Sequence, residues 1–156
     1  MEEKMRERAG QMYELICSSL DKQKFRYVKN EAKRQVIFAL KDENVSISVG
    51  IAVEEQKQRI HLCSPWDIPL SANKLKENAV AVCAVNSAMA DGCLVHNIPN
   101  NKIEYKISVS LWDSKAGEGI IDYLLGSAYT VAARYSEMFD KLNKGAMSMD
   151  EFTALC

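Results

Sequence analysis

Residues 100–113 read NNKIEYKISVSLWD. From Ile103 to Leu111 every second side chain is apolar or aromatic (Ile103, Tyr105, Ile107, Val109, Leu111), and Glu104, Lys106, Ser108 and Ser110 fill the alternate positions. That period places one set of side chains in a core and the other in water, the pattern of a half-buried strand. The preceding CLVHNI (93–98) supplies a partner strand. Pro99, Asn100 and Asn101 between them offer the residue types that close hairpins.

The same alternation recurs upstream. In VSISVGIAV (45–53), Val45, Ile47, Val49, Ile51 and Val53 face one way, and Ser46, Ser48, Gly50 and Ala52 the other. FRYVKN (25–30), RQVIFAL (34–40) and QRIHLCS (58–64) read as further strands, separated by polar turns at Asp42-Glu43-Asn44 and Glu54 to Lys57. Strands with one apolar side predict an antiparallel sheet covered on one face.

Helical spacing marks the rest. Met5, Ala9, Met12, Ile16 and Leu20 predict a helix over Glu2–Leu20, and a second is expected over Ser71–Ala90, stopped by Asp91-Gly92. Pro65 and Pro69 hold the segment between sheet and second helix as a loop. A third helix is predicted from Gly117–Gly119 to Gly145, its stripe running from Ile121 through Tyr135 to Leu142. Ser148 and Glu151 then stand at capping-box spacing for a short last helix. The expected fold is α+β, ordered α-β-β-β-(β)-α-β-β-α, with the helices on one face of the sheet and residues 1–156 forming a single domain.

Twenty basic residues against 21 acidic ones leave no field to gather nucleic acid or an anionic membrane. The longest apolar run, Ala79–Val85, is far too short to span a bilayer, and MEEKMRERAGQM at the N-terminus lacks the apolar core of a secretory signal. Five cysteines without a CxxC pair suit a reducing compartment, and a cytoplasmic location is expected.

Few residues suggest chemistry. His61 and Cys63 share a strand face, but a metal needs three or four ligands and only His96 could add an imidazole. Asp140 to Glu151 imitates a calcium loop, with Gly145 at the sixth place, yet Leu142 and Lys144 occupy ligand positions. GEGI (117–120) lacks the spacing of a phosphate cradle. The expectation is a non-enzyme with no catalytic residue, no metal and no cofactor.

The second helix is unusual because AVAVCAV (79–85) is apolar all round, where a surface helix needs only one stripe. Either it is a central helix flanked by the others, or it also meets a second subunit. With Leu75, Ala79, Val82, Asn86 and Met89 assigned to the sheet, Ala81 points to the partner. Trp66 and Trp112 stand just outside predicted elements, where tryptophan either caps a core edge or anchors a partner.

From Ile60 to Phe152 the order of features resembles the YbjN family of bacterial sensory transduction regulators. The matching features are the proline-flanked loop, Asn86 in AVNSAM, Gly92, the turn at Asn100-Asn101, Ile103–Ser108, Tyr135, Gly145, and Ser148 with Glu151. That turn usually carries a glycine, and Asn101 stands in its place. The resemblance implies a fold like that of type III secretion chaperones, commonly dimeric, with no catalytic residues.

The functional expectation is a cytosolic protein-binding module, chaperone-like or regulatory. It would form a homodimer and engage a polypeptide partner by accepting an extended segment as an added strand. The alternative is a small-molecule sensor, whose sign would be an apolar pocket between helices and sheet with convergent polar groups.

Overall fold

The computed structural model describes residues 1–112 and 116–156; Asp113, which closes the stretch quoted above, lies outside the described residues. The elements run α1 (Glu2–Lys22), β1 (Tyr27–Asn30), β2 (Gln35–Lys41), β3 (Ser46–Glu54), β4 (Arg59–Pro65), α2 (Leu75–Ala88), β5 (Cys93–Asn97), β6 (Lys102–Ser110), α3 (Glu118–Asn143) and α4 (Met149–Ala154). The strands form one antiparallel sheet in the order β1-β2-β3-β4-β6-β5. The fold is α+β, as the alternating stretches predict.

One face of the sheet carries the core. Ile47, Val49, Ile51 and Val53 of β3, Ile60 and Leu62 of β4, and Ile103, Tyr105 and Ile107 of β6 are all buried. They meet Ala9, Ile16 and Leu20 of α1 and Leu124, Ala128, Ala132 and Phe139 of α3, the stripes that helical periodicity marks. Phe139 is the hinge pin of one end: Trp66 packs edge-on to it at 6.0 Å, and Phe152 of α4 does so at 5.1 Å. The short α4 is held by the expected capping box, Ser148 Oγ accepting from Glu151 N–H and Glu151 Oε2 accepting from Ser148 N–H.

Three expectations need correction. The second helix begins at Leu75 and ends at Ala88, because Ala72–Lys74 forms a 3-10 turn and Met89 is already extended. Gln58 belongs to the turn before β4: its φ is 45°, and its side-chain amide donates to the carbonyls of Met5 and Glu55. The buried side of α2 is Asn78, Ala81, Val82 and Val85, rotated from the face assigned by sequence. Polar pairing fixes that rotation. Asn78, fully buried, exchanges two hydrogen bonds with Asn143 of α3, and the Asn143 side chain also accepts from Ser71 N–H and donates to the carbonyl of Phe139. An unpaired amide in the core would cost about 1–3 kcal/mol, so this pair outweighs any small preference among equally apolar faces.

Candidate functional site

No helix covers the other face of the sheet among the described residues, and the register shows what it displays. One row crosses all six strands as Val28, Ile37, Gly50, Cys63, Lys106 and Cys93. A parallel row runs Asn30, Gln35, Ala52, His61 and Ser108. The face is therefore apolar at the β1–β2 edge, small in the middle and charged towards β6. Val28 is 72% exposed and Ile37 48%, large β-branched side chains left in water side by side.

At the charged end Glu104 is buried despite facing this side. Its carboxylate accepts from Asn97 Nδ2 at 2.7 Å and pairs with Lys106 Nζ at 3.0 Å. Burial alone would raise its pKa, but those partners hold it below the ordinary carboxylate value. Burial, with Glu104 nearby, pushes the Cys63 thiol upward, which keeps it protonated and a poor nucleophile. His61 hydrogen-bonds Ser108 Oγ at 2.8 Å, whereas His96 lies opposite Ile103 on the helix-covered face and contacts Asn101. The two imidazoles thus point to opposite sides of the sheet. Asn101 takes a φ of 47°, the conformation for which a hairpin normally recruits glycine.

The sheet has two edges, and they differ. At β5 the side chain of Asn86 accepts from Leu94 N–H at 2.7 Å and donates to Leu94 C=O at 3.0 Å. The amide thereby takes the place of a neighbouring strand at Leu94 and caps that edge there. β1 has no such guard among the described residues; Val28, Lys29 and Asn30 are exposed. Around it Lys24, Arg26, Lys29 and Lys33 make no salt bridge among the described residues. A bare strand edge with an apolar pair on one side and cations along it is a surface that can accept an extended chain.

On the helix side, a cavity of about 440 Å³ follows α3 beside the end of α2. Its walls include Met89, Asp91, Tyr123, Gly126, Val131 and Arg134, and Tyr105 forms part of its floor. Tyr105, pushed up to about 12 mainly by burial, stays protonated and donates to the Asp91 carbonyl; Tyr123 donates to Asp91 Oδ2 at 2.6 Å.

The residues expected to bind a partner are placed apart. Ala81 is fully buried against the chain's own core, so no second subunit can reach it. That overturns its choice: the side of α2 that faces solvent holds Leu75, Ala79, Val80 and Cys83, with Lys76 and Ser87 beside them. Trp66 is likewise fully buried, on Phe139, and acts as a core cap instead of an anchor. Trp112 is 51% exposed, at the end of β6 beyond Leu111. Sequence reading missed the Val28–Ile37 pair, since register across two strands is not visible in either strand alone. It also missed the groove, although Gly126 inside a long helical pattern was a signal.

No family model matches the chain, and no curated protein matches it. Solved structures do. YbjN from E. coli superposes with a TM-score of 0.59 at 10% identity, covering 86% of this chain and 92% of that one. A chain of the ExsC–ExsE complex gives 0.57 at 7% identity over 86% of this chain and 95% of its own. A chain of the HopA1–SchA chaperone–effector complex gives 0.52 at 8% identity over 81% and 91%. At such identities the likeness is one of fold: this chain has the type III secretion chaperone-like fold that YbjN shares.

Proposed function

We infer that the chain is a non-enzymatic binding module of the cytoplasm, chaperone-like or regulatory, which takes an extended polypeptide segment onto the edge of its sheet. The observation that carries this reading is the asymmetry of the edges: Asn86 caps β5 at Leu94, while β1 is bare among the described residues, beside the exposed Val28 and Ile37. The likeness to chains found in chaperone–effector and ExsC–ExsE complexes supports it. The cations near β1, which make no salt bridge among the described residues, favour an acidic segment, and they disfavour a second β1 edge by like-charge repulsion.

The test is capture from the native host with the wild type and with Val28→Glu/Ile37→Glu, followed by hydrogen exchange on the reconstituted pair. Both positions are already in water, so the variant should fold normally. We expect the captured protein to be lost with the variant and the amides of residues 27–30 to slow in the complex. A partner that protects α2 or α3 and leaves β1 exchanging freely would defeat the reading.

A second copy of the chain is the partner we assign to the outer side of α2. Val80 is 54% exposed and Leu75 37%, on a helix whose uncovered side is still largely apolar. An interface of standard size would bury on the order of 800 Å² per partner. Light scattering at tens of micromolar should give twice 17.5 kDa, and Val80→Arg should give a folded monomer. A monomeric wild type, or a variant that stays dimeric, removes α2 as the contact.

A further inference from the structure

The groove along α3 has features that the fold does not require. Gly126 lies within a 26-residue helix, and a Cβ built there would meet nothing within 4 Å. An interior helical glycine costs about 1 kcal/mol relative to alanine, so the position gives up stability without relieving any clash. What its absence of a side chain provides is depth in the groove wall. At one end Arg134 stacks its guanidinium on the Tyr135 ring, 5.1 Å from the centroid, and makes no hydrogen bond or salt bridge among the described residues. At the other end Asp91 offers its carboxylate, with Oδ2 held by Tyr123 and Oδ1 without a partner among the described residues. The stretch between is lined by Ala88, Met89, Gly126 and Val131, with the hydroxyls of Ser127 and Thr130 beside them.

The ends are far apart. Tyr123 and Arg134 are separated by three turns of α3, roughly 16 Å at the helical rise. An extended peptide covers that distance in about five residues. We propose that this groove binds a short apolar peptide with free termini, its ammonium group on Asp91 and its carboxylate on Arg134. The length, the opposite charges and the apolar middle select this class over a simple fatty acid, whose tail would end against a carboxylate. Such a site would correspond to the small-molecule alternative raised from the sequence, and it stands independently of the β1 edge.

The probe is the pentapeptide LAAAL, titrated into uniformly labelled full-length protein and followed by backbone amide shifts. Saturable shifts are expected at Gly126, Ser127 and Val131. Gly126→Leu improves helix propensity and fills the groove, so it should fold and lose the response. Amidating the peptide's C-terminus should weaken binding roughly two- to fivefold, the scale of an exposed ion pair, and Arg134→Met should weaken the free peptide equally but leave the amidated one unchanged. Acetylation and Asp91→Asn should behave in the same matched way. The proposal is overturned by no saturable shift up to millimolar peptide, by binding that persists in Gly126→Leu, or by blocked termini that bind as well as free ones.

Discussion

Replacing Gly92 by alanine is expected to cost about 3 kcal/mol of stability. Gly92 has a φ of 71°, where an L-residue carries a penalty of about 1–2 kcal/mol. Its new Cβ would also lie 2.5 Å from the Tyr105 hydroxyl and 2.7 Å from the ring itself. Tyr105 is fully buried and its hydroxyl is tied to the Asp91 carbonyl, so moving the ring aside would cost that bond, and overpacking of that kind adds about 1–3 kcal/mol. In a domain of this size the melting temperature should fall by roughly 6–12 °C. Urea unfolding measures it directly: the midpoint should drop with the slope unchanged. A loss under 1 kcal/mol would show that the turn after α2 can shift, and that Tyr105 does not fix it.

Asn86→Ala comes next, at about 2–4 kcal/mol. The substitution removes two hydrogen bonds and leaves both backbone groups of Leu94, itself buried, without their partner. Each orphaned buried group costs about 1–3 kcal/mol, which is why the expected loss exceeds that of an ordinary surface amide. The variant should also free the Leu94 backbone groups to pair with another strand, so concentration-dependent assemblies larger than those of the wild type should appear. Equal stability of variant and wild type, or amides at Leu94 that exchange no faster, would remove Asn86 as the guard of β5.

The strands were legible because their chemistry is written locally. Ile103 to Leu111 alternates, and so does Val45 to Val53; a single register satisfies each, since a slip by one residue would expose every apolar side chain. The third helix was legible for the same reason, with Ile121, Leu124, Leu125, Ala128, Ala132, Tyr135, Phe139 and Leu142 all buried as its periodicity requires. The second helix was not. Its faces are nearly equivalent in apolarity, and the choice among them is made by Asn78 reaching Asn143, a residue 65 positions away. Ala81 was misassigned on that account. Trp66 was ambiguous because its environment is assembled from α3 and α4, through Phe139 and Phe152.

The candidate site was less visible than the fold. Asn86 came into view through a resemblance of motif order, while its role as a stand-in strand appears only when Leu94 is placed beside it. Lys24, Arg26, Lys29 and Lys33 read in sequence as ordinary solvated charges. They gain meaning from lying at the β1 edge, which no side chain caps among the described residues.

The strand order has a kinetic side. β1, β2, β3 and β4 pair with their neighbours in sequence, and β5 pairs with β6 across a short turn. Only β4 against β6 joins distant chain, matching residues as far apart as Arg59 and Ser110, with α2 and the β5 hairpin strand in the intervening loop. The entropy of closing a long loop therefore falls on a single seam, and it must be met before the core contacts across that seam reward it. Two locally wired halves, a four-stranded meander and a hairpin, come together there. Within the sheet, the pairing of sequence-distant strands is concentrated in the line between His61 and Ser108, Leu62 and Ile107, and Ser64 and Tyr105.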